Sequence, residues 1–225
     1  MKTGILITAR LGSTRLKRKH LLRINDQEII VYLIKRIQNA FKKEISEGSV
    51  NNIPLRHLQT AQKHNLDYLI SIDGDDILCS VIGMREVYAA LISGVQYIKT
   101  KDLPFGMNSM GYSRVFLEES LSNHMNDLLE TGWGRIFDNK SVREISLPLP
   151  LNNNKLRFTL DYQDDFMFFQ AVINHFGNLI IDVSDEELVY QVIKYELYKY
   201  NESIADEYWI NFDSNMQKEV KTNES

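Results

Sequence analysis

The chain has few of the features that stabilise secreted or membrane proteins. Its 225 residues include one cysteine and four prolines. Cys79 has no partner for a disulfide within the chain, which is typical of a reducing compartment. No apolar run reaches the roughly 20 residues that a membrane-spanning helix needs, and the opening residues 1–5 have no apolar region typical of a signal peptide. We therefore expect a cytoplasmic protein that does not enter membranes.

An excess of positive charge is also missing. The formal net charge is −4, and basic residues are not interleaved with aromatic ones, so we expect no nucleic-acid partner. The 44% hydrophobic and 25% charged content is ordinary for a globular protein of a size that buries a full core. We predict a single domain over residues 1–213 and a polar, frayed C-terminal tail over 214–225.

The positive charge that is present is concentrated in one loop. An apolar run, Ile5–Ile7, predicts a short buried strand, and the loop after it contains Gly12 and Ser13. Its cations are Arg10, Arg15, Lys17, Arg18 and Lys19. Glycine lets a ligand approach the backbone, while amides, hydroxyls and cations bind phosphate oxygens. The loop is not a Walker P-loop, and it indicates polyphosphate binding, with an ordinary solvated loop as the alternative.

The order of elements predicts a mostly parallel sheet with helices on both faces, because strands alternate with helices. Apolar runs predict strands at 5–7, 68–72, 95–99 and 157–160. Helical periodicity and capping residues predict helices at 25–45, 54–65, 84–93, 116–130, 166–176 and 184–200.

Two acidic segments follow buried strands in this prediction. Asp75 lies in Asp73-Gly74-Asp75-Asp76 after strand 68–72, and Asp161 follows strand 157–160. The carboxyl ends of strands line the ligand crevice of open α/β sheets. Two carboxylates facing a polyphosphate would repel it unless a cation bridged them, and Mg²⁺ suits that arrangement. Asp75 and Asp161 are therefore candidate metal ligands, with a polar turn and a helix N-cap as the respective alternatives.

These segments together resemble a known family. The order Ala-Arg-Leu-Gly-Ser-Thr-Arg-Leu-x-x-Lys over residues 9–19 is similar to the A-R-x-G-S-x-R-L-P-G-K signature of sugar cytidylyltransferases, which include the Kdo, acylneuraminate and spore-coat-polysaccharide types. Residues 72–76 resemble the V-x-G-D-x-P metal segment of that family, and residues 160–165 resemble its V-D-T-P-E-D segment. Residues 131–137 resemble a segment of members found among surface-polysaccharide genes.

The resemblance implies a nucleotide-diphospho-sugar transferase-like fold, of the GT-A or Rossmann-like kind. It implies Mg²⁺-dependent transfer of CMP from CTP to a sugar acid with release of pyrophosphate, in lipopolysaccharide or related polysaccharide biosynthesis, by a homodimer. The matching positions imply Arg10 and Lys19 as catalytic residues, Gly12, Ser13, Arg15 and Asp73 as nucleotide-binding residues, and Asp75 and Asp161 as Mg²⁺ ligands.

The acceptor residues are Asn108, Trp133 and Arg135 in this hypothesis. An aromatic platform at Trp133 and a forked cation at Arg135 would hold a sugar ring and its carboxylate. A plain turn at Asn108, and core or dimer packing by Trp133 beside a surface Arg135, are the alternatives. We expect His20 and His64 to be structural, and residues 208–212 to form a packing or dimer patch.

Three departures from the family pattern bear on activity. Lys17-Arg18 replaces Pro-Gly, and Ile77 replaces the proline of the metal segment. A βα unit that the family has between its first helix and the helix at 54–65 is missing, since the short connection after Phe41 has no apolar run to form its strand. The nucleotide pocket lies beside that unit. A catalytically degenerate nucleotide-binding or scaffolding homologue is therefore the alternative function.

Overall fold

The computed structural model describes residues 1–9, 13, 15–41, 52–138, 142–149 and 156–224. Its central sheet has five strands in the order β1–β4–β6–β5–β7. These strands are β1 (Thr3–Thr8), β4 (Tyr68–Asp73), β5 (Tyr97–Lys101), β6 (Met110–Ser113) and β7 (Arg143–Ser146). A short hairpin of β2 (Arg23–Ile24) and β3 (Gln27–Glu28) stands apart.

The sheet is mostly parallel. β1 pairs with β4 and β5 with β7 in parallel, whereas β6 runs antiparallel to both β4 and β5. Four strands therefore share one direction and only β6 opposes them, among the strands that the structure describes. This confirms the predicted fold class.

Helices cover both faces of the sheet. The helices are α1 (Ile29–Phe41), α2 (Ile53–His64), α3 (Val81–Ile92), α4 (Arg114–Leu121), α5 (Gln163–Phe176), α6 (Asp185–Lys194) and α7 (Ala205–Asn223). Alternating strand residues face opposite ways, so Leu69 packs with α2 and α4, whereas Ile70 packs with α1 and α3. α5 and α6 enclose a third core around Phe158 and Phe168. No helix in the described ranges has the length and apolar character to cross a membrane.

The first helix starts later than the sequence predicts. Asn25 and Asp26 both have positive φ, of 50° and 59°, which is the backbone of a tight turn joining two antiparallel strands. They join β2 to β3, so Asn25 does not cap a helix and α1 begins only at Ile29. Residues 42–45, the predicted end of this helix, lie outside the described residues.

The predicted helix at 116–130 was wrong in both bounds. α4 begins at Arg114, where the Ser113 hydroxyl accepts a hydrogen bond from Phe116 N at 3.0 Å, and it ends at Leu121. The chain then turns toward α2, because the Asn52 amide donates to the carbonyl oxygens of His124 (3.2 Å) and Asp127 (3.0 Å).

Residues 157–160 are extended but do not form the predicted strand of the sheet. Their partners are loops: Phe158 N donates to Phe105 O at 2.7 Å, and Leu160 N donates to Asp75 O at 2.9 Å. Gly106 permits this approach, because a Cβ there would lie 2.4 Å from the Phe158 carbonyl carbon. The segment ends beside Asp75 and so delivers Asp161 to the carboxyl end of β4.

The βα unit that we predict to be missing would lie in the connection from α1 to α2. The structure describes nothing between Phe41 and Asn52, so residues 42–51, on which that prediction partly falls, lie outside it. Among the described strands, β1 pairs with β4 and with no other strand. α2 begins with the Asn52 side chain accepting from Leu55 N at 2.8 Å, and Pro54 lies in its first turn, where a missing N–H costs nothing.

Candidate active site

A cavity of about 560 Å³ opens at the carboxyl ends of β1 and β4. Its floor is formed by the basic loop and the acidic residues that follow β4. Its walls are the extended segment before α5, the 130–134 loop and one face of α7. The charged end of this cavity, as we call it, consists of Arg15, Lys19, Asp73, Asp75, Asp76 and Asp161.

Lys19 is the centre of the charged end. Arg18 has a positive φ of 51° and precedes a 3₁₀ turn at Lys19–Leu21, which turns the Lys19 side chain inward until 4% of the residue remains exposed. Its Nζ lies 2.6 Å from Asp75 Oδ2 and 3.0 Å from Asp161 Oδ1. One ammonium group therefore joins the two carboxylates that the sequence singled out on separate segments.

Asp75 has a second partner in His20, whose Nε2 lies 2.7 Å from Asp75 Oδ1. Burial disfavours the charged carboxylate, but the hydrogen bond from His20 and the Lys19 ammonium outweigh it and lower the pKa of Asp75. We expected His20 to be structural. It is buried and bonds to a cavity carboxylate, a contact that the sequence did not indicate.

Asp161 is held by three cations. Besides Lys19, Arg15 Nη2 lies 2.6 Å and Arg157 Nη2 3.0 Å from its oxygens. Arg157 is buried, and its Nε lies 2.9 Å from Asp165 Oδ1. Asp165 also accepts hydrogen bonds from Asp161 N and from the Asn201 amide, both at 2.9 Å. The position of Asp161 is thus fixed by a buried network, which short sequence motifs do not reveal.

The pKa values of Asp73 and Asp76 are raised, whereas that of Asp75 is lowered. Burial at the base of the cavity, followed by the charge of Asp75, raises the pKa of Asp73 to about 7. The Asp73 side chain still opens into the cavity, so water moderates the part that is due to burial. Burial and the charges of Asp73 and Asp75 raise the pKa of Asp76 well above its usual value, against a hydrogen bond from Thr159.

The donor set fits the Mg²⁺ that the family resemblance implies. Asp73, Asp75 and Asp161 are oxygen donors at one end of one cavity. No group of three or more such side chains converges on one point within the described ranges. Mg²⁺ typically takes one or two carboxylates and completes its shell with phosphate and water, so a convergent cage is not required.

The predicted site residues divide into three groups. Ser13, Arg15, Lys19, Asp73, Asp75, Asp161 and Trp133 line the cavity. Asn108 and Arg135 do not: the Asn108 amide donates to Leu103 O at 3.2 Å within a turn, and Arg135 Nη2 donates to Leu128 O at 3.0 Å. The alternative of a turn at Asn108 therefore describes the structure, whereas Arg135 is half-buried and bonded to the 128–131 backbone, not a free surface residue. Arg10 and Gly12 lie outside the described residues.

One wall of the cavity comes from the C-terminal segment that we expected to be a packing patch and a frayed tail. α7 continues to Asn223, and Tyr208, Trp209 and Phe212 line the cavity. Tyr208 lies 4.3 Å from the Arg157 guanidinium carbon, a cation–π contact. Farther along α7, the two carboxylate oxygens of Glu219 accept from Thr131 N at 2.8 and 3.0 Å. This helix spans from the Asp161 side to the 130–134 loop.

A family model matches the N-terminal part of the chain, and one relative aligns with most of it. Residues 4–46 match the cytidylyltransferase family model. The match contains the whole basic loop and ends before α2. The uncharacterized protein MJ1063 of Methanocaldococcus jannaschii is 24% identical over 213 residues, covering 81% of this chain and 88% of that protein.

Two solved structures share the fold. A cytidylyltransferase from Leptospira borgpetersenii superimposes with a TM-score of 0.74 at 21% identity, covering 89% of this chain and 98% of that one. CMP:2-keto-3-deoxy-manno-octonic acid synthetase complexed with CTP superimposes with a TM-score of 0.51 at 13% identity, covering 78% of this chain and 99% of that one. At these identities the likeness shows that this chain shares their Rossmann-like fold.

Proposed function

We propose that this protein is a cytidylyltransferase that transfers CMP from CTP to a sugar acid and releases pyrophosphate. The observation that carries the proposal is Lys19, a buried cation placed 2.6 Å from Asp75 and 3.0 Å from Asp161 at the floor of a cavity. The family match over the basic loop supports the nucleotidyl-transfer class. The superimposed synthetase carries CTP, which supports CTP as the nucleotide.

The charged end suits the chemistry of this reaction. The oxygen of an acceptor hydroxyl, which loses its proton to solvent, forms a bond to the α-phosphorus of CTP, and the bond from that phosphorus to the oxygen bridging the α- and β-phosphates breaks, which releases pyrophosphate. Negative charge grows on the leaving pyrophosphate, so Arg15 and Lys19, already fixed by Asp161, would stabilise it without rearranging. Mg²⁺ held by Asp75 and Asp161 would supply further positive charge at the phosphates.

The remaining parts of the proposal concern the acceptor and the assembly. A sugar acid destined for a surface polysaccharide is proposed from the likeness of residues 131–137 to members found among surface-polysaccharide genes. Trp133, which is 7% exposed and lines the cavity, supports an aromatic contact to the acceptor or the base. We also propose that the protein is cytoplasmic and forms a homodimer. Light scattering of the purified protein would test the dimer.

Pyrophosphate release tests the enzyme directly. The protein would be incubated with CTP, Mg²⁺ and a panel of ulosonic acids, with UTP, ATP and GTP as matched nucleotide controls. We expect release that needs CTP, Mg²⁺ and one acceptor together. CTP binding without release for any acceptor would favour the alternative, a degenerate nucleotide-binding homologue, for which the short connection between α1 and α2 is the motivation.

A further inference from the structure

The ring of Tyr208 on α7 lies against two cations at the charged end of the cavity. Its centroid is 4.3 Å from the guanidinium carbon of Arg157 and 5.6 Å from that of Arg15. Both distances are within the range of cation–π contacts. The same two guanidinium groups bind the carboxylate oxygens of Asp161, Arg15 at 2.6 Å from Oδ1 and Arg157 at 3.0 Å from Oδ2. One ring therefore contacts both guanidinium groups that hold this carboxylate.

A second ring beside Arg15 also depends on α7. The guanidinium carbon of Arg15 lies 5.3 Å from the ring centroid of Tyr162, the residue that precedes α5. The Tyr162 hydroxyl accepts a hydrogen bond from the Asn211 amide at 2.9 Å. Tyr208 and Asn211 are three residues apart on α7, so they lie on the same face of the helix. α7 thus supplies one of the two rings and holds the other.

Arg15 needs such support because its own backbone provides little. It belongs to no helix or strand, and 28% of its side-chain surface is exposed. An arginine in a loop has many rotamers, which are restricted when a ligand binds to it. A group that is already held in its bound orientation does not incur that cost on binding. Lys19 differs, because it is buried in a 3₁₀ turn and held between two carboxylates.

We propose that Tyr208 is a positioning residue, which holds the guanidinium group of Arg15 in the orientation in which it meets the triphosphate. Arg157 anchors the ring in turn, since it is buried and its Nε lies 2.9 Å from Asp165 Oδ1. The identity of the ligand rests on the proposed function, whereas the contacts between the ring and the cations do not. The inference gives α7 a role in binding phosphate, although the family match ends at residue 46.

Affinities for CTP, CMP and inorganic pyrophosphate, measured by isothermal titration with Mg²⁺ present, test the inference. Tyr208→Leu removes the ring, whereas Tyr208→Phe keeps it and removes only the hydroxyl. We expect Tyr208→Leu to weaken the binding of CTP and pyrophosphate about three- to tenfold, the range of one or two cation–π contacts. CMP should lose less, because it lacks the phosphates that Arg15 meets, and Tyr208→Phe should bind all three ligands like wild type.

The matched control is Tyr190→Leu, which removes a ring 5.5 Å from the Lys194 ammonium on α6, away from the cavity. It should leave all three affinities unchanged. Equal losses for CMP and CTP in Tyr208→Leu would overturn the inference, since the ring would then act on the part of the nucleotide that both share. An unchanged CTP affinity in folded Tyr208→Leu would overturn it as well.

A double-mutant cycle separates an effect through Arg15 from a general effect of α7. In an Arg15→Ala background the ring has no guanidinium group to hold for the phosphates, so Tyr208→Leu should cause no further loss of CTP affinity. A further loss as large as that in wild type would overturn the inference.

Rotation of the Arg15 guanidinium group provides a readout that needs no ligand. Nitrogen-15 spectra of arginine-labelled protein measure it, with Arg15→Lys to assign the signal and the exposed Arg18 as the internal comparison. We expect slow rotation at Arg15 in wild type and Tyr208→Phe, and faster rotation in Tyr208→Leu. Rotation as fast as that of Arg18 in wild type would overturn the inference, even if Tyr208→Leu failed to fold, and so would unchanged slow rotation in Tyr208→Leu.

The spectra also separate this inference from the proposed function. If wild-type protein bound neither CTP nor pyrophosphate, the proposed function would be wrong, and the rotation of Arg15 alone would decide whether Tyr208 holds it. Tight CTP binding that does not depend on the ring would overturn the role of Tyr208 alone.

Discussion

The charged end of the cavity and a neighbouring cluster of uncharged side chains pair their polar groups by different means. At the charged end, Lys19 is shared by Asp75 and Asp161 through contacts of 2.6 and 3.0 Å. Next to it, Thr8, His57 and Tyr112 form the neutral cluster, as we call it, in which uncharged side chains are joined by hydrogen bonds. Charges act over a distance and respond to protons and ions, whereas neutral hydrogen bonds act only on what they touch. The charged end should therefore respond to pH and to bound ions, whereas the neutral cluster should not.

The largest effect should come from removing one negative charge at the charged end. Asp75→Asn and Asp161→Asn should each lower Mg²⁺-dependent pyrophosphate release by about 100-fold or more, because charge placed at the reacting phosphates is lost. Release rates across a Mg²⁺ titration measure this. Asp164→Asn is the control, in the first turn of α5 and away from the cavity. Full Mg²⁺-dependent activity in Asp161→Asn would assign Asp161 to a structural role.

Removing the shared cation should weaken binding. Lys19→Ala should reduce the free energy of CTP binding by roughly 1.5–3 kcal/mol, the usual contribution of a hydrogen bond to a charged group. Titration calorimetry on folded protein would measure it. Lys17→Ala, an exposed cation of the same loop, should have little effect. An unchanged affinity in Lys19→Ala would contradict the assignment of the loop to phosphate.

A smaller effect, on stability, is expected where α7 meets the 130–134 loop and forms one wall of the cavity. Glu219→Ala removes the acceptor for Thr131 N and Glu130 N, at 2.8 and 3.2 Å. The free energy of unfolding should fall by about 1–2 kcal/mol, since two partly buried backbone N–H groups lose their acceptor. Urea denaturation would show it. Glu207→Ala, exposed in the first turn of α7, should leave stability unchanged, and equal losses in both variants would indicate a general effect on the helix.

The smallest effect concerns Asp73, whose pKa is raised to about 7. An acid whose pKa is higher in the folded than in the unfolded state destabilises the fold as it ionises. Its contribution to stability is thus lost as pH rises from about 4 to about 7. Asp73→Asn should therefore stabilise metal-free protein at pH 8 by on the order of 1 kcal/mol, a value reduced for solvent screening, and hardly at all at pH 4. Melting temperatures at both pH values measure this. Glu86→Gln, at an exposed position, is the control. A gain of equal size at both pH values would show that ionisation of Asp73 is not the cause.

Sequence reasoning found the charged end better than the neutral cluster. A strand followed by Asp73-Gly74-Asp75-Asp76 has a short local pattern, and the carboxyl end of a strand fixes where it points. Thr8, His57 and Tyr112 lie on three elements whose contact depends on packing. No spacing along the chain connects them. β6, with four residues, was likewise too short to show an alternation.

α7 was missed for a different reason. Its polar residues from Ser214 onward lack an apolar stripe, which favours a frayed tail. The structure holds this part of the helix through polar contacts instead: Glu219 accepts from the 130–131 backbone, and the Asn223 side chain accepts from Leu128 N at 2.8 Å. Such contacts depend on a loop some 90 residues earlier, so local periodicity carries no sign of them.

Because α7 lies late in the chain, the cavity is completed late during synthesis of the protein. The basic loop and the aspartates after β4 leave the ribosome early and can begin to fold. The wall made by Tyr208, Trp209 and Phe212 cannot form until nearly the whole described chain has been translated. A nascent or prematurely terminated chain that stops before residue 205 would have the charged floor without its aromatic wall. Only chains translated past this helix would complete the aromatic wall of the cavity.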